Sequence, residues 1–193
     1  MKHVLILALS ALMASAACAQ IPPAPPGDPA HPDTVIEFGD PETVIIVTDD
    51  REIAFSALIA DTDPERSRGL MFRESLADDE AMLFNYEEVQ PVSIWMRNTE
   101  IPLDILYIAD DGTIRKIVMN AQPHSLRSMA SDFPVLGVLE IRGGLSREAE
   151  IRPGHIVRHA TFGNLDLPEP DSDDMPIEDA AIDSEPVETD GGE

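Results

Sequence analysis

The residues best equipped for chemistry fall in one stretch, Trp95-Met96-Arg97-Asn98-Thr99, followed closely by Ile101-Pro102-Leu103-Asp104. A large aromatic, a cation and two hydrogen-bonding side chains stand where a strand should give way to a turn. Successive side chains on a strand alternate, so Trp95 and Arg97 share one face and Met96 and Asn98 the other. Two readings fit this pattern. In the first, Arg97 pairs with an anionic group, Trp95 stacks on a ring or sugar, and Asn98, Thr99 and Asp104 supply directional hydrogen bonds. In the second, Trp95 is core, Asn98 caps the turn before Pro102, and Asp104 is neutralised by Arg97 or Arg73. Three further cations, Arg66, Arg68 and Arg73, lie within eight positions of a chain poor in positive charge. Together they suit an anion site. Alternatively Arg66 and Arg68 pair along a helix surface with Glu65 and Glu74. Arg73 lies past that helix and is not explained in this way, so the candidate binding set is Arg73, Trp95, Arg97, Asn98, Thr99 and Asp104.

Catalysis has fewer materials. Asp104 and Glu140 are the only carboxylates in otherwise apolar strands, where burial raises a pKa and makes a general acid or base. That would suit a hydrolase or lyase acting on an envelope carbohydrate, provided two carboxylates lie within about 10 Å of each other. His124 and Ser125 are available as partners, but nothing ties them to Asp104. The chain has no nucleophile elbow, phosphate loop, dinucleotide glycine pattern or metalloprotease helix. Its methionines, at 71, 82, 96, 119 and 129 among others, lack the close spacing of a soft-metal site and suit core filling. His155 and His159 would lie about 13 Å apart on a strand, too far to share an ion. No metal and no cofactor is expected; the residues fit a non-enzymatic binding or accessory module best, with a purely structural module as a further alternative.

Charge narrows the partners. The formal net charge is −24, and residues 33–163 carry 24 acidic against 12 basic side chains. Clustered positive charge for nucleic acid is missing, and an anionic membrane surface would repel the chain. A small polar or anionic ligand, or an envelope protein, remains.

The ends look unlike the middle. Residues 1–19 carry Lys2, an apolar run and small residues ending in Ala17 and Ala19, the layout of a secretory signal peptide cut before Gln20. Cys18, with Ser15 in place of the usual large aliphatic residue, offers lipid attachment as the minor alternative. It is the sole cysteine, so thiol nucleophiles, disulfides and thiolate metal sites are excluded from the mature domain. Residues 20–33, with six prolines, read as an extended linker. Residues 164–193 hold twelve acidic side chains and no Lys or Arg, which predicts a disordered tail. One domain is left, at 34–163, in a protein expected to be periplasmic or extracellular.

Within that domain the dominant period is two. Glu42–Thr48 and Ile53–Ala60 predict a hairpin around Asp49-Asp50-Arg51. Met82–Tyr86, Val92–Met96, Leu103–Ala109, Thr113–Met119, Val135–Ile141 and His155–Ala160 read as further strands, with a turn at Asp110-Asp111-Gly112. A single clear helix start is Thr62-Asp63-Pro64-Glu65, with Gly69 placed to end the helix. A second helical turn is possible at Ser146–Glu150. Many short strands with one short helix predict a mainly β (α+β) fold, a small closed or nearly closed β-barrel or β-roll.

Three blocks recur in order: Arg66-Ser67-Arg68-Gly69-Leu70-Met71-Phe72-Arg73 with Met82-Leu83-Phe84; Trp95-Met96-Arg97-Asn98-Thr99 with Ile101-Pro102-Leu103-Asp104; and Val138-Leu139-Glu140 with Arg152-Pro153-Gly154. Together they resemble the DUF192 family, a bacterial and archaeal group that is widely exported or membrane-associated and has no established biochemical activity. The resemblance spans about residues 42–160. It implies a small β-rich, barrel-like fold with a short helix carrying the R-G-L-M-F-R block, and it implies no reaction.

Overall fold

The computed structural model describes residues 24–165. The expected signal peptide, Cys18 and nearly all of the acidic tail lie outside the described residues. Seven strands form one sheet: β1 (Glu42–Val47), β2 (Glu52–Ala60), β3 (Glu80–Ile94), β4 (Leu103–Ile108), β5 (Ile114–Ala121), β6 (Met129–Arg142) and β7 (Ile156–Arg158). Their order is β5-β4-β6-β3-β2-β1-β7, with β2 and β3 parallel and the other neighbours antiparallel. The sheet curls until its two edges meet. Thr113 bridges Ile156, the Ile114 amide donates to the His155 carbonyl at 2.9 Å, and the Val157 amide donates to Gly112 at 2.8 Å. The expected barrel-like roll is therefore observed, drawn together at the β5–β7 seam.

Local sequence explains the joints. The β1–β2 hairpin turns through Asp49-Asp50, with Thr48 and Arg51 closing it by hydrogen bonds. Helix α1 (Asp63–Arg68) joins the parallel pair β2 and β3. Its start is a capping box: Thr62 Oγ1 accepts from the Glu65 amide, and the Glu65 carboxylate accepts from the Thr62 amide. Two donors that a helix start leaves open are satisfied in this way. Helix α2 (Leu145–Glu148) is a single turn in the β6–β7 connection.

Alternation along the strands builds two apolar layers, one on each face of the sheet. Val44, Ile46, Phe55, Leu83, Leu106, Ile108, Leu139, Ile141 and Val157 pack inside the roll together with Leu145 and Phe162. On the outer face Met82, Phe84, Val92, Ile94, Ile105, Tyr107, Val135 and Val138 form a second cluster with Leu70 and Leu76. All six residues of β4 are buried, because it contributes alternately to both layers. Met82 and Met96 lie in the second cluster and Met129 packs against it.

Two departures from the sequence pattern have clear causes. Met82–Tyr86 and Val92–Ile94 belong to one fifteen-residue strand rather than two, which stops short of the expected end at Met96, and β6 begins at Met129 to pair with it. The register slips between Asn85 and Gln90, where Glu87 has φ 60°, so the acidic interruption is a bulge and not a turn. The described part of the proline-rich stretch runs through hydrogen-bonded turns from Pro25 to Thr34 and buries Ala30.

Candidate functional site

Helix α1 ends at Gly69, whose φ of 48° and ψ of −139° few side-chain-bearing residues tolerate. An added Cβ would also stand 3.1 Å from the Phe84 ring. This sharp exit sends Leu70 into the outer apolar layer and buries Met71 next to it in the chain. The following residue, Phe72, donates its amide to the Asn98 carbonyl at 2.8 Å, which ties the helix exit to the loop after β3. Asn98, at φ 55°, donates its side-chain amide to the Ala30 carbonyl at 3.1 Å and so draws in the N-terminal turns.

Between these segments lies a cleft of about 90 Å³, walled by Arg66, Arg68, Leu70, Met71, Phe84 and Tyr86 with Ser93, Ile94, Trp95, Thr99 and Glu140. Arg68 and Glu140, two of these residues, are buried. Arg68 is 8% exposed. One of its terminal nitrogens donates to the carbonyls of His31 and Thr34, and its guanidinium lies over the Phe72 ring at 5.1 Å. Its Nε is the one buried side-chain polar atom among the described residues without a partner. Burial pulls this guanidinium down from its ordinary range.

Glu140 is 4% exposed and sits between Met82 of β3 and Ile105 of β4. Among the described residues nothing forms a hydrogen bond or an ion pair with its carboxyl. Desolvation pushes it up to about 8, so it carries a proton at neutral pH. The neighbouring Tyr86 and Tyr107 hydroxyls are pushed well up, first by their own burial and then by Glu140. Arg66 has no spare reach toward Glu140, because it is held by Asp63 at 2.6 Å and by the Asn85 carbonyl at 2.8 Å while lying over the Tyr86 ring.

Of the residues singled out in the sequence, Trp95 and Thr99 line this cleft. Trp95 is 48% exposed at its rim, with the Arg97 guanidinium 5.6 Å from its ring centre, so the pair does share one side. Thr99 is buried and positioned by backbone bonds to Met96 and His124. Asn98 acts as a tie between segments. Arg73 is half-buried, and its side chain makes no ion pair among the described residues.

Asp104 stands elsewhere. It is on the inner face of β4, fully buried, and accepts from the amides of Asn120 at 2.7 Å, Gly144 at 2.9 Å and Ser146 at 2.8 Å, and from the Ser146 hydroxyl. Neither reading of Asp104 holds: it does not line the cleft with Trp95 and Arg97, and neither Arg97 nor Arg73 pairs with it. The reason is the strand alternation that sends Leu103 and Ile105 outward. Arg66 and Arg68 likewise bind Asp63 and backbone carbonyls rather than Glu65 and Glu74. His155 and His159 face different carboxylates, Asp49 and Glu42.

A family model, DUF192, described as an uncharacterised ACR, matches residues 44–159. The chain belongs to the DUF192 family. Two solved structures are similar to it. One, from Sinorhizobium meliloti 1021, is described as a candidate transcription regulator; it is 37% identical with a TM-score of 0.63, over 66% of this chain and 99% of that one. The other, a protein of unknown function from Novosphingobium aromaticivorans DSM 12444, is 37% identical with a TM-score of 0.60, over 61% and 84%. No curated protein matches this chain. In this DUF192 member the blocks that carry the resemblance converge: Arg66–Met71, Phe84, Trp95, Thr99 and Glu140 all meet at the one cleft.

Most of this wall stands within the sequence blocks that carry the resemblance, Glu140 also as a catalytic candidate, but nothing in the sequence joins Arg68 and Glu140 in one cleft. Tyr86, Ser93 and Ile94 gave no signal beyond their strands. Chemically, the cleft offers one buried N–H donor, one carboxyl that donates when protonated, three hydroxyl-bearing residues of small size (Ser67, Ser93 and Thr99) and apolar walls. It contains a single carboxylate, so the two-acid geometry of a glycosidase is not assembled there.

Proposed function

We propose that this chain is an exported envelope module that binds a small polar or anionic solute in the cleft between α1, the Trp95–Thr99 loop and Glu140. The observation that carries the reading is that Arg68, whose Nε is buried without a partner among the described residues, walls the same cavity as Glu140, whose carboxyl makes no hydrogen bond or ion pair among them. Leaving a buried polar group unsatisfied costs roughly 1–3 kcal/mol, more when it is charged. A fold that only needed stability would have apolar residues there. A bound solute restores the missing partners. The N-terminal pattern of residues 1–19 supports export, and lipid attachment through Cys18 remains its alternative form. The transcription-regulator description of the Sinorhizobium protein is not extended to this chain, since twice as many acids as bases in residues 33–163 oppose phosphate contact.

A thermal-shift panel of small acids, amines, amides, sugars and inorganic anions tests the reading on wild type and on Ser93→Tyr, an exposed cleft-wall residue whose enlargement fills the cavity. At least one compound should raise the wild-type Tm in a concentration-dependent way and leave the variant unmoved. Equal responses from both proteins would place binding elsewhere.

A further inference from the structure

The cleft's chemistry selects among solutes. An ammonium ligand would approach Glu140 past Arg66 and Arg68, both in the wall, and would find the carboxyl protonated near neutral pH. A sugar would meet few donors and acceptors against the apolar side chains of Leu70, Met71, Phe84 and Ile94. A phosphate or sulfate would draw on several charged donors at once, and Arg66 and the Nη2 of Arg68 are already bound to Asp63 and to carbonyls. A carboxylate has two oxygens. One can accept from Arg68 Nε and the other from the protonated carboxyl of Glu140, forming the kind of charge-assisted bonds that are strongest away from water.

Resting on the cleft being the ligand site, we propose that its ligand is a short-chain monocarboxylate, held head-first between Arg68 and Glu140 with its hydrocarbon tail against Leu70, Phe84 and Ile94. The volume of about 90 Å³ admits only a handful of non-hydrogen atoms and sets the chain length at a few carbons. The charged and titratable groups facing Glu140 are Arg66 and Arg68 from α1, Tyr86 from β3 and Tyr107 from β4. Both tyrosines stay neutral through the range in which Glu140 titrates, so binding should follow the Glu140 proton alone. Loss of that proton places a second negative charge against the ligand, and affinity falls as pH rises.

Trp95 is the single tryptophan of the chain and stands at the cleft rim, so its fluorescence reports this site and no other. The full-length protein is titrated with sodium propionate, propionamide and propylammonium chloride at pH 6.5 and 9.5. Saturable quenching is expected with propionate alone, at least tenfold weaker at pH 9.5, with the pH dependence flattened in Glu140→Gln, which keeps a donor there. Should that variant not fold, the wild-type pH dependence serves as the readout. If propionamide or propylammonium binds as tightly as propionate and Ser93→Tyr abolishes it, the acid assignment falls while the cleft remains a binding site. Propionate binding that survives Ser93→Tyr, or no saturable response to any of the three, overturns the assignment; in the former case the cleft falls with it.

Discussion

Two carboxylates are buried in this domain, two strands apart in chain order but next to each other in the sheet, and they are treated in opposite ways. Asp104, on the inner face of β4, accepts four hydrogen bonds. Glu140, on the outer face of the adjacent β6, accepts none among the described residues. The Asp104 partners are amides released by irregular backbone: Asn120 at φ 50°, beside a slip in the β4–β5 register, and Gly144 and Ser146 at the start of α2. That carboxylate replaces bonds the sheet and the short helix leave open, which is a structural duty. Glu140 replaces nothing. The number of donors that reach each carboxyl therefore separates these two acids more clearly than burial does, and under the proposed function Glu140 is the one left to a ligand.

Removing Asp104 should give the largest effect. Asp104→Ala leaves three amides and a hydroxyl buried without partners, and bonds to a charged acceptor contribute about 1.5–3 kcal/mol each. A loss on the order of 5 kcal/mol is expected in urea unfolding, and a loss below about 1 kcal/mol would erase the contrast between the two acids. Glu140→Gln should act in the other direction. A carboxyl whose value rises from 4.5 to about 8 on folding stabilises the native state fully below pH 4.5 and loses that contribution between pH 4.5 and 8. The slope is about 1.4 kcal/mol per pH unit for a single group. The stability of wild type relative to Glu140→Gln should therefore fall by a few kcal/mol from pH 5 to pH 8 and stay level above. Parallel curves for the two proteins would show that Glu140 is hydrated or paired.

Much of the fold could be read from local pattern, and much of the site could not. The capping box at Thr62 and Glu65, the hairpin at Asp49-Asp50 and the turn at Asp110-Asp111-Gly112 depend on neighbours in the chain, and all three stand where their residues put them. The continuity of β3 was hidden because Glu87-Glu88 and Pro91 resemble a break; tertiary pairing with β6 carries the strand through, with Pro91 opposite Pro134. Trp95 and Arg97 were legible as a pair because alternation alone puts them together. Arg68 was not, since its partners are carbonyls at 31 and 34, more than thirty residues away. Nor does any local period reveal that Glu140 has no partner. An acid on an apolar strand is visible in the sequence, but whether a donor reaches it depends on which strands become neighbours.

The turn that shapes the cleft offers a test smaller than either carboxylate change. Gly69→Ala forces a side chain into a backbone region reserved for glycine and against Phe84, at a cost of about 1–3 kcal/mol. Because Leu70 and Met71 follow directly, the variant should also lose ligand-dependent stabilisation out of proportion to its lost stability. A uniform drop in Tm with ligand response intact would make the turn a matter of folding only.

The smallest effect belongs to Arg97. It lies over Trp95 on the solvent side, with no ion pair among the described residues, and exposed cation–π contacts contribute about 0.5–1 kcal/mol. Arg97→Gln should lower stability by no more than that in urea unfolding, while changing the fluorescence of the indole it covers. The informative quantity is its effect on binding. If the site is governed by Arg68 and Glu140, Arg97→Gln leaves the affinity for a small solute within about twofold, because a cation at the rim acts through water and is screened by salt. A tenfold loss would instead make the rim pair, the feature most visible in the sequence, the principal anion contact, and would reduce Glu140 to a buried acid beside the site.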